Sequence, residues 1–458
     1  MDQHASPQPA ADHRVPARPR PAVRRRPSAG VGRRAVSAHT RARPIIAVLT
    51  VGVASCAAPT APRGDLVPDP PSLETQIASG LYRSCVLRVT DGVWCWGGAV
   101  AGSGVTNAAP ALVAPPQGAG RFVTVSVGSH VCALTAAGVA YCWGENRYGE
   151  LGDGTTITRQ RPTRVLADVP FRTVTAGLFS TCALDLNDRA WCWGRNDLGA
   201  LGTGSVAEGE RALRPVLVAG GRRFRLLSGA STWCGLEAGG VPYCWGSVDG
   251  SFDPGAGLEP GDCTTRYGRM FTGRPCVVPT AVDAASELTQ IAVGGASTCG
   301  IVRNTSAVCW GEGWLGSLGD GTLGSGAQSS RPREVAGNLA LVRVSSGGVH
   351  ACGLTPDGRA YCWGSNFRGR LGNGVAGTSI GCALVPTGGA SCPPDQASAV
   401  PVAVVGEGRF RAIAAGSAHT CALTTADEVF CWGIGTGGEL GRDPGLGDSP
   451  VPVRVRLP

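Results

Sequence analysis

Lysine is absent from all 458 residues, so the 41 basic side chains are arginines. That excludes Schiff-base chemistry on a lysine amine and the phosphate-binding lysine of a P-loop. Histidine is scarce, and only His130, His350 and His419 lie beyond residue 56. They occupy one equivalent repeat position and read as repeat-level hydrogen bonders, not as a catalytic or metal-binding group. Closely spaced Cys-x-x-Cys pairs are missing, so a four-ligand zinc site lacks its usual signature. The acidic residues fall in turns and loops without a persuasive acid/base pair. No apolar run is long enough to span a bilayer as a helix. No catalytic residue, metal or cofactor is expected.

Cysteine and glycine are plentiful instead, at 19 and 70 residues. One thirteen-residue phrase, clearest at Cys352 to Gly364 as CGLTPDGRAYCWG, recurs seven times. It pairs Cys85 with Cys95, Cys132 with Cys142, Cys182 with Cys192, Cys234 with Cys244, Cys299 with Cys309, Cys352 with Cys362 and Cys421 with Cys431, always ten residues apart. Trp-Gly follows the second cysteine every time, at Trp96, Trp143, Trp193, Trp245, Trp310, Trp363 and Trp432. Seven copies of an apolar–turn–apolar unit mean a repeat architecture. Between the cysteines, turn residues such as Thr355-Pro356-Asp357-Gly358 favour a β-hairpin. In a hairpin centred between them the two cysteines stand opposite one another, close enough for one cross-strand disulfide per repeat. Seven reduced, buried pairs are the alternative, since free cysteine packs as a small hydrophobe.

Each unit has further landmarks. An apolar strand ending in glycine precedes the first cysteine, and a small polar residue or His stands two residues before it: His130, Ser180, Thr232, Ser297, His350 and His419. A glycine-rich loop follows Trp-Gly, as in CWGENRYGELGDG at 142–154. Such loops superficially suggest phosphate cradles, but they recur without a basic partner, and turn geometry accounts for them better. A Pro-x-x-Val strand then closes the unit seven times, from Pro110 and Val113 in the first to Pro452 and Val455 in the last. About four short strands per unit match one propeller blade. The expected fold is all-β, a seven-bladed propeller of four-stranded antiparallel blades over 73–458. Because the first unit lacks a preceding Pro-x-x-Val strand and the last lacks a following one, the C-terminal strand is expected to complete blade 1 and close the ring.

The pattern GxxHxCxL…CWGxNxxGxLGxG resembles the repeat of the regulator of chromosome condensation family, over nearly all of 73–458. The resemblance implies a seven-bladed propeller. The cysteine pair departs from the family's cytosolic pattern and suits an oxidising compartment. Repeats 1 and 4 depart too, since the N-x-x-G-x-L-G segment is lost after Trp96 and Trp245.

Residues 1–56 read as a disordered basic leader plus a signal peptide. They carry ten arginines against Asp2 and Asp12, whereas the remaining 402 residues carry 31 arginines and 31 acidic residues. The basicity belongs to the leader, and no nucleic-acid partner is expected. The apolar run Ile45 to Val53 lies behind Arg41 and Arg43 and ends in Val53-Ala54-Ser55-Cys56. That ending resembles the lipobox of bacterial lipoproteins, which implies lipidation at Cys56; ordinary secretion is the alternative. Residues 1–44 are long for a signal, which points to a translation start downstream. Residues 57–72 form a Pro-rich tether.

Two insertions, near 250–276 and 376–396, carry the additional pairs Cys263 with Cys276 and Cys382 with Cys392. Each is expected to be stapled by its own disulfide and to leave its blade at the same point, so both rise on one face. The first contains Arg266, Tyr267, Arg269, Phe271 and Arg274, residue types that dominate interface hot spots. They are the candidate binding residues; the alternative is a loop that only covers degenerate blade 4. The leading expectation is a monomeric, non-enzymatic, extracytoplasmic protein-binding scaffold whose partner is a protein or envelope component. Its membrane contact runs only through the lipid anchor. Two alternatives are a secreted enzyme inhibitor, resembling the propeller inhibitor of β-lactamases, and a carbohydrate-binding or carbohydrate-active propeller.

Overall fold

The computed structural model describes residues 75–98, 107–196, 198–205, 210–246, 276–282, 287–303, 305–313, 315–324, 327–377, 383–384, 390–391 and 395–458. Contacts divide the chain into Met1–Asp65 and Leu66–Pro458, and every described residue lies in the second unit. The expected leader, lipobox Cys56 and tether lie outside the described residues.

Seven four-stranded antiparallel sheets follow one another along the chain, at 76–113, 122–164, 171–217, 226–281, 288–334, 343–403 and 410–454. These are blades 1 to 7. Blade 2 shows why each segment takes its place. Its first strand, Phe122–Val127, buries Phe122, Val125 and Val127, with a register shift between Phe122 and Thr124 putting all three on one side. The second, His130–Thr135, is buried at every residue, as is the third, Ala140–Gly144. Both central strands are sandwiched between neighbouring blades, so neither face can be polar. The fourth, Arg159–Arg164, is half exposed. Pro162 is tolerated there because an edge strand has an N–H to spare, and arginine with proline blunts the open edge.

The paired cysteines face one another across the second and third strands of every blade, as the ten-residue spacing requires. All seven pairs are disulfides. Cys85 bonds Cys95, Cys132 bonds Cys142, Cys182 bonds Cys192 and Cys234 bonds Cys244. Cys299 bonds Cys309, Cys352 bonds Cys362 and Cys421 bonds Cys431. A feature the sequence reading did not anticipate lies just beyond the second cysteine. The register between third and fourth strands shifts there in every blade, as between Cys192 and Gly194, between Cys244 and Gly246, and between Cys309 and Gly311. The extra residues lie on the fourth strand, where three residues stand opposite the single tryptophan of Trp-Gly.

The residue six places after the first cysteine takes a left-handed conformation in six hairpins. It is Gly138, Gly240 and Gly358 in three, at φ 74°, 82° and 82°, but Asp188, Thr305 and Asp427 in the others, at 64°, 72° and 62°.

The core is divided among the joints between blades. Seven hydrophobic clusters each unite residues of two neighbouring blades. First strands touch in a closed cycle, blade 7 meeting blade 1. Backbone hydrogen bonds run around the centre: Leu81 N to Gly128 O, Ser129 N to Gly177 O, Leu178 N to Ala230 O, Gly295 N to Gly347 O, Gly348 N to Gly416 O and Ser417 N to Gly80 O, all 2.8–3.1 Å.

One expectation is corrected here. The C-terminal strand Ser449–Arg454 pairs with Val429–Gly433 of blade 7, and blade 1 is complete from its own four strands. The apolar strand ahead of each first cysteine is the innermost strand of its blade, and the Pro-x-x-Val strand is the outermost of the same blade. The chain therefore enters at an inner strand and leaves at an outer one, with none to lend. Closure is by packing: Val86 and Trp96 of blade 1 are buried with Leu423, Val429, Leu440 and Val455 of blade 7.

Candidate functional site

The loops after Trp-Gly are the joints of the ring. Buried Asn146 accepts a hydrogen bond from Leu151 N at 2.9 Å and donates to the carbonyls of Thr155 and Ile157 at 3.1 and 3.0 Å. Asn196 and Asn366 hold Leu201 N and Leu371 N likewise, at 3.0 and 3.2 Å. The asparagine forces the loop to present a leucine and the carbonyl before it to the next blade. Leu151, Leu201, Leu318, Leu371 and Leu440 are buried against the following blade. The preceding carbonyl accepts from that blade's tryptophan: Trp193 Nε1 to Glu150 O at 2.7 Å, Trp245 to Ala200 at 3.1 Å, Trp363 to Ser317 at 3.2 Å, Trp432 to Arg370 at 3.0 Å and Trp96 to Glu439 at 3.0 Å. Glycine must follow the leucine, since a Cβ on Gly372 would lie 2.7 Å from Trp432 Nε1. At the first, Glu150 Oε2 accepts from Tyr148 N at 2.7 Å, and burial pushes the Glu150 carboxyl up to about 7.

The histidines form a second tie. His130 Nε2 lies 2.6 Å from Thr181 Oγ1, His350 Nε2 2.8 Å from Thr420 Oγ1, and His419 Nε2 2.8 Å from Ser84 Oγ. Each partner is the residue before the first cysteine of the next blade. Thr181 Oγ1 in turn donates a hydrogen bond to the Glu150 carbonyl at 2.7 Å, so hydroxyl and tryptophan converge on one acceptor. Full burial holds His130 down to about 3 and His419 to about 4, and burial with the nearby Arg370 lowers His350 as well. The histidines are thus neutral struts between blades, as expected of repeat-level hydrogen bonders.

The two degenerate repeats leave two altered joints. At blade 5, Trp310 Nε1 and Thr298 Oγ1 are fully buried without a partner among the described residues, and the sequence after Trp245 lacks the N-x-x-G-x-L-G segment whose carbonyl serves elsewhere. At blade 2, among the described residues, Trp143 Nε1 has no hydrogen-bond partner. A cavity of 640 Å3 opens there between blades 1 and 2, lined by Trp143, Arg83, Leu112, Gln160, Arg161 and Pro162 among others. At the ring centre the glycine-ended inner strands surround a smaller space of 170 Å3, and its described lining of Gly, Ala, Ser, Leu and Val carries no carboxylate.

The predicted binding residues Arg266, Tyr267, Arg269, Phe271 and Arg274 lie outside the described residues, as do Cys263, Cys382 and Cys392. Both insertions leave from the connection between the third and fourth strands of their blades, from Gly246 to Cys276 and from Ser365 to Ala397. Cys276 is buried and disulfide-bonded. Ala383–Leu384 pairs with Ala390–Ser391, placing the positions beside Cys382 and Cys392 next to each other. On this same face stands a cluster the sequence reading passed over. Tyr148 and Phe179 meet edge to face at 5.8 Å, and the Arg195 guanidinium lies 5.1 and 5.4 Å from their rings. Arg147 lies 5.6 Å from the Tyr148 ring, and Phe179 is 38% exposed. Its signal was legible: Tyr148 and Arg195 stand in successive Trp-Gly loops, and Phe179 ends the turn between them. Among the described residues no three His, Cys, Asp or Glu side chains group as metal ligands. Nor is any helix among them long and apolar enough to cross a membrane.

Models of the regulator of chromosome condensation (RCC1) repeat match residues 171–200, 341–370 and 410–439, and residues 137–184 and 357–423. The chain is 26% identical over 388 residues to the ultraviolet-B receptor UVR8 of Arabidopsis thaliana, covering 82% of this chain and 80% of that protein. It is 28% identical over 313 residues to the human E3 ubiquitin-protein ligase HERC2, spanning 66% of this chain but only 6% of HERC2. Among solved structures, Prp20p of Saccharomyces cerevisiae superposes with a TM-score of 0.63 at 20% identity, over 80% of this chain and 85% of that one. The blade order, the Trp-Gly joints and these matches agree: the chain is a seven-bladed propeller that carries regulator of chromosome condensation repeats within residues 137–200 and 341–439.

Proposed function

We propose that this propeller is a non-enzymatic, extracytoplasmic scaffold that binds a protein of the cell envelope, held there by a lipid on Cys56. The observation that carries the reading is the Arg147–Tyr148–Phe179–Arg195 cluster on the face from which both insertions emerge. Rigid aromatic rings braced by guanidinium groups are the chemistry of interface hot spots. A disulfide in each blade supports an oxidising compartment, where such bonds persist. A central space without a carboxylate in its described lining speaks for binding over acid–base hydrolysis of sugars.

The test is capture from envelope extract by the full chain. Tyr148→Ala with Phe179→Ala should abolish capture while changing the unfolding free energy by no more than about 0.5 kcal/mol each, as surface substitutions do. Alanine at Arg266, Tyr267 and Phe271 should weaken it in the same way. Undiminished capture by both variants would remove this face from the reading. Mass spectrometry of the mature N-terminus checks the anchor; an intact peptide spanning Cys56 rules it out. Thiol titration under denaturant checks the compartment, and some fourteen reactive thiols in natively expressed protein would overturn it.

A further inference from the structure

Blade 7 is held by a histidine on both sides. His350 of blade 6 reaches Thr420 of blade 7, and His419 of blade 7 reaches Ser84 of blade 1, each at 2.8 Å. Thr420 Oγ1 donates to the Arg370 carbonyl at 3.3 Å, so it accepts from His350. Nε2 of that ring therefore carries the hydrogen and Nδ1 is bare. Nδ1 of both rings is buried without a hydrogen-bond partner among the described residues. Each lies against the inner-strand glycine of its own blade: a Cβ on Gly347 would be 3.0 Å from His350 Nδ1, and one on Gly416 3.0 Å from His419 Nδ1. A proton added there would make a buried charge on an N–H that lacks an acceptor.

The charged groups around the pair offer no relief. Arg370 lies beside both rings, 4% exposed, and donates to the carbonyls of Phe367 and Ser417 at 3.1 and 3.3 Å. Among the described residues no carboxylate bonds to it. Arg83, next to Ser84, turns to the Gly98 carbonyl at 2.8 Å, Glu439 turns back to Gly437 N at 2.8 Å, and Asp448 pairs with Arg368 at 2.8 Å. The insertion of blade 6 supplies no acid either, since residues 378–394 contain no charged side chain. The joint between blades 2 and 3 differs. It has one imidazole, His130, with Ser129 Oγ 3.4 Å from its Nδ1, and Glu150 stands at the loop position of Arg370.

We infer that blade 7 is an acid-operated latch: the ring opens at this blade, ahead of its other joints, as His350 and His419 each take up a proton. Lifting blade 7 frees both rings to water, so its opening binds two protons, whereas parting blades 2 and 3 binds one. Burial holds both rings below the ordinary 6.5, His419 at about 4, so acid favours opening only as pH falls below 6.5. Glu439 and Glu150, whose carboxyls burial raises, each release at most one proton on opening and offset part of the uptake at their joints. Blade 7 keeps the steeper dependence. Its opening bares the apolar seam of Val86, Trp96, Leu423 and Leu440. The latch concerns the ring alone and is independent of what the loop face binds.

The test is amide hydrogen exchange of the full chain from about pH 7 to 5, corrected for intrinsic rates. Four amides report one joint each: Ser417, bonded to Gly80 O, for blades 7 and 1; Gly348, to Gly416 O, for 6 and 7; Ser129, to Gly177 O, for 2 and 3; and Leu178, to Ala230 O, for 3 and 4. Below pH 6.5 the opening constants at Ser417 and Gly348 should rise about ten- to hundredfold per pH unit, that at Ser129 no more than about tenfold, and that at Leu178 should hold steady. His350→Gln with His419→Gln should remove the rise at Ser417 and Gly348 and leave Ser129 as it was. Where that pair does not fold, His419→Gln alone should take about tenfold per pH unit off the slope at Ser417. Equal rises at all four amides overturn the inference, as does a slope at Ser417 no steeper than at Ser129 or one unaltered by His419→Gln.

Discussion

His419 Nε2 lies 2.8 Å from Ser84 Oγ and joins the last blade to the first, across the one junction that the backbone does not cross. Both residues are fully buried. His419→Ala removes the bond and leaves a void, at a cost of about 2–4 kcal/mol, measurable as a shift in guanidinium midpoint. Hydrogen exchange locates the effect. The Ser417 amide, bonded to Gly80 O at 3.0 Å, should exchange faster in this variant and unchanged in His130→Ala, whose joint lies between blades 2 and 3.

Acid should destabilise the ring through the same struts. The unfolded chain binds protons at the ordinary histidine value of 6.5, whereas the folded protein accepts them at His130 only near 3 and at His419 only near 4. As pH falls below 6.5 the unfolded state gains protons that the folded state refuses, so stability is lost. Each histidine lowers the folding constant by up to about tenfold per pH unit in that window. Glu150 acts oppositely: its contribution is full below 4.5 and lost as pH rises through about 7. Three struts outweigh it. Thermal midpoints should therefore fall from pH 6.5 to 4, and replacing His130, His350 and His419 together by Gln should flatten that limb.

The two kinds of joint predict unequal costs for one substitution. Trp193→Phe strips the Glu150 carbonyl of a donor at 2.7 Å, but Trp310→Phe removes an indole N–H that has no partner. The first should cost about 1–2 kcal/mol more than the second in urea unfolding. Equal losses would mean that the acceptor carbonyl contributes nothing.

Thr305 carries a β-branched side chain at φ 72°, a backbone region such residues rarely enter. Three equivalent hairpins use glycine and two use aspartate. Thr305→Gly should raise stability by about 1 kcal/mol, the relieved strain exceeding the added freedom of the unfolded chain. A lower melting temperature would contradict this.

Much of this architecture was legible because it is repeated. Ten-residue cysteine spacing dictates opposed positions in a hairpin, and seven recurrences dictate seven blades. The phase of the strands was not legible. A run of inner, second, third and outer strands reads equally well if the cut falls one strand away, and only pairing at Cys431↔Val453 decides it. The histidine partners could have been found: a hydroxyl stands before the first cysteine at Ser84, Thr181, Thr298 and Thr420, and three of the four follow a blade bearing His. The fourth, Thr298, is the one left without a partner. The loss of the leucine loop in repeat 1 was plain to read. That such loops cross into the next blade became visible only in the structure, through bonds such as Trp193 Nε1 to the Glu150 carbonyl.

Because each blade is made from one continuous stretch, the place where the polypeptide happens to begin and end is chemically unremarked by the ring. The seam between Gly80 and Ser417 is stitched as five of the other junctions are, by one amide and one carbonyl. Starting the ring at Thr75, joining it to Pro458 with a short linker and opening the connection at 218–225 should therefore give a circular permutant that regains the same structure. A propeller locked by a shared terminal sheet could not be reordered so freely.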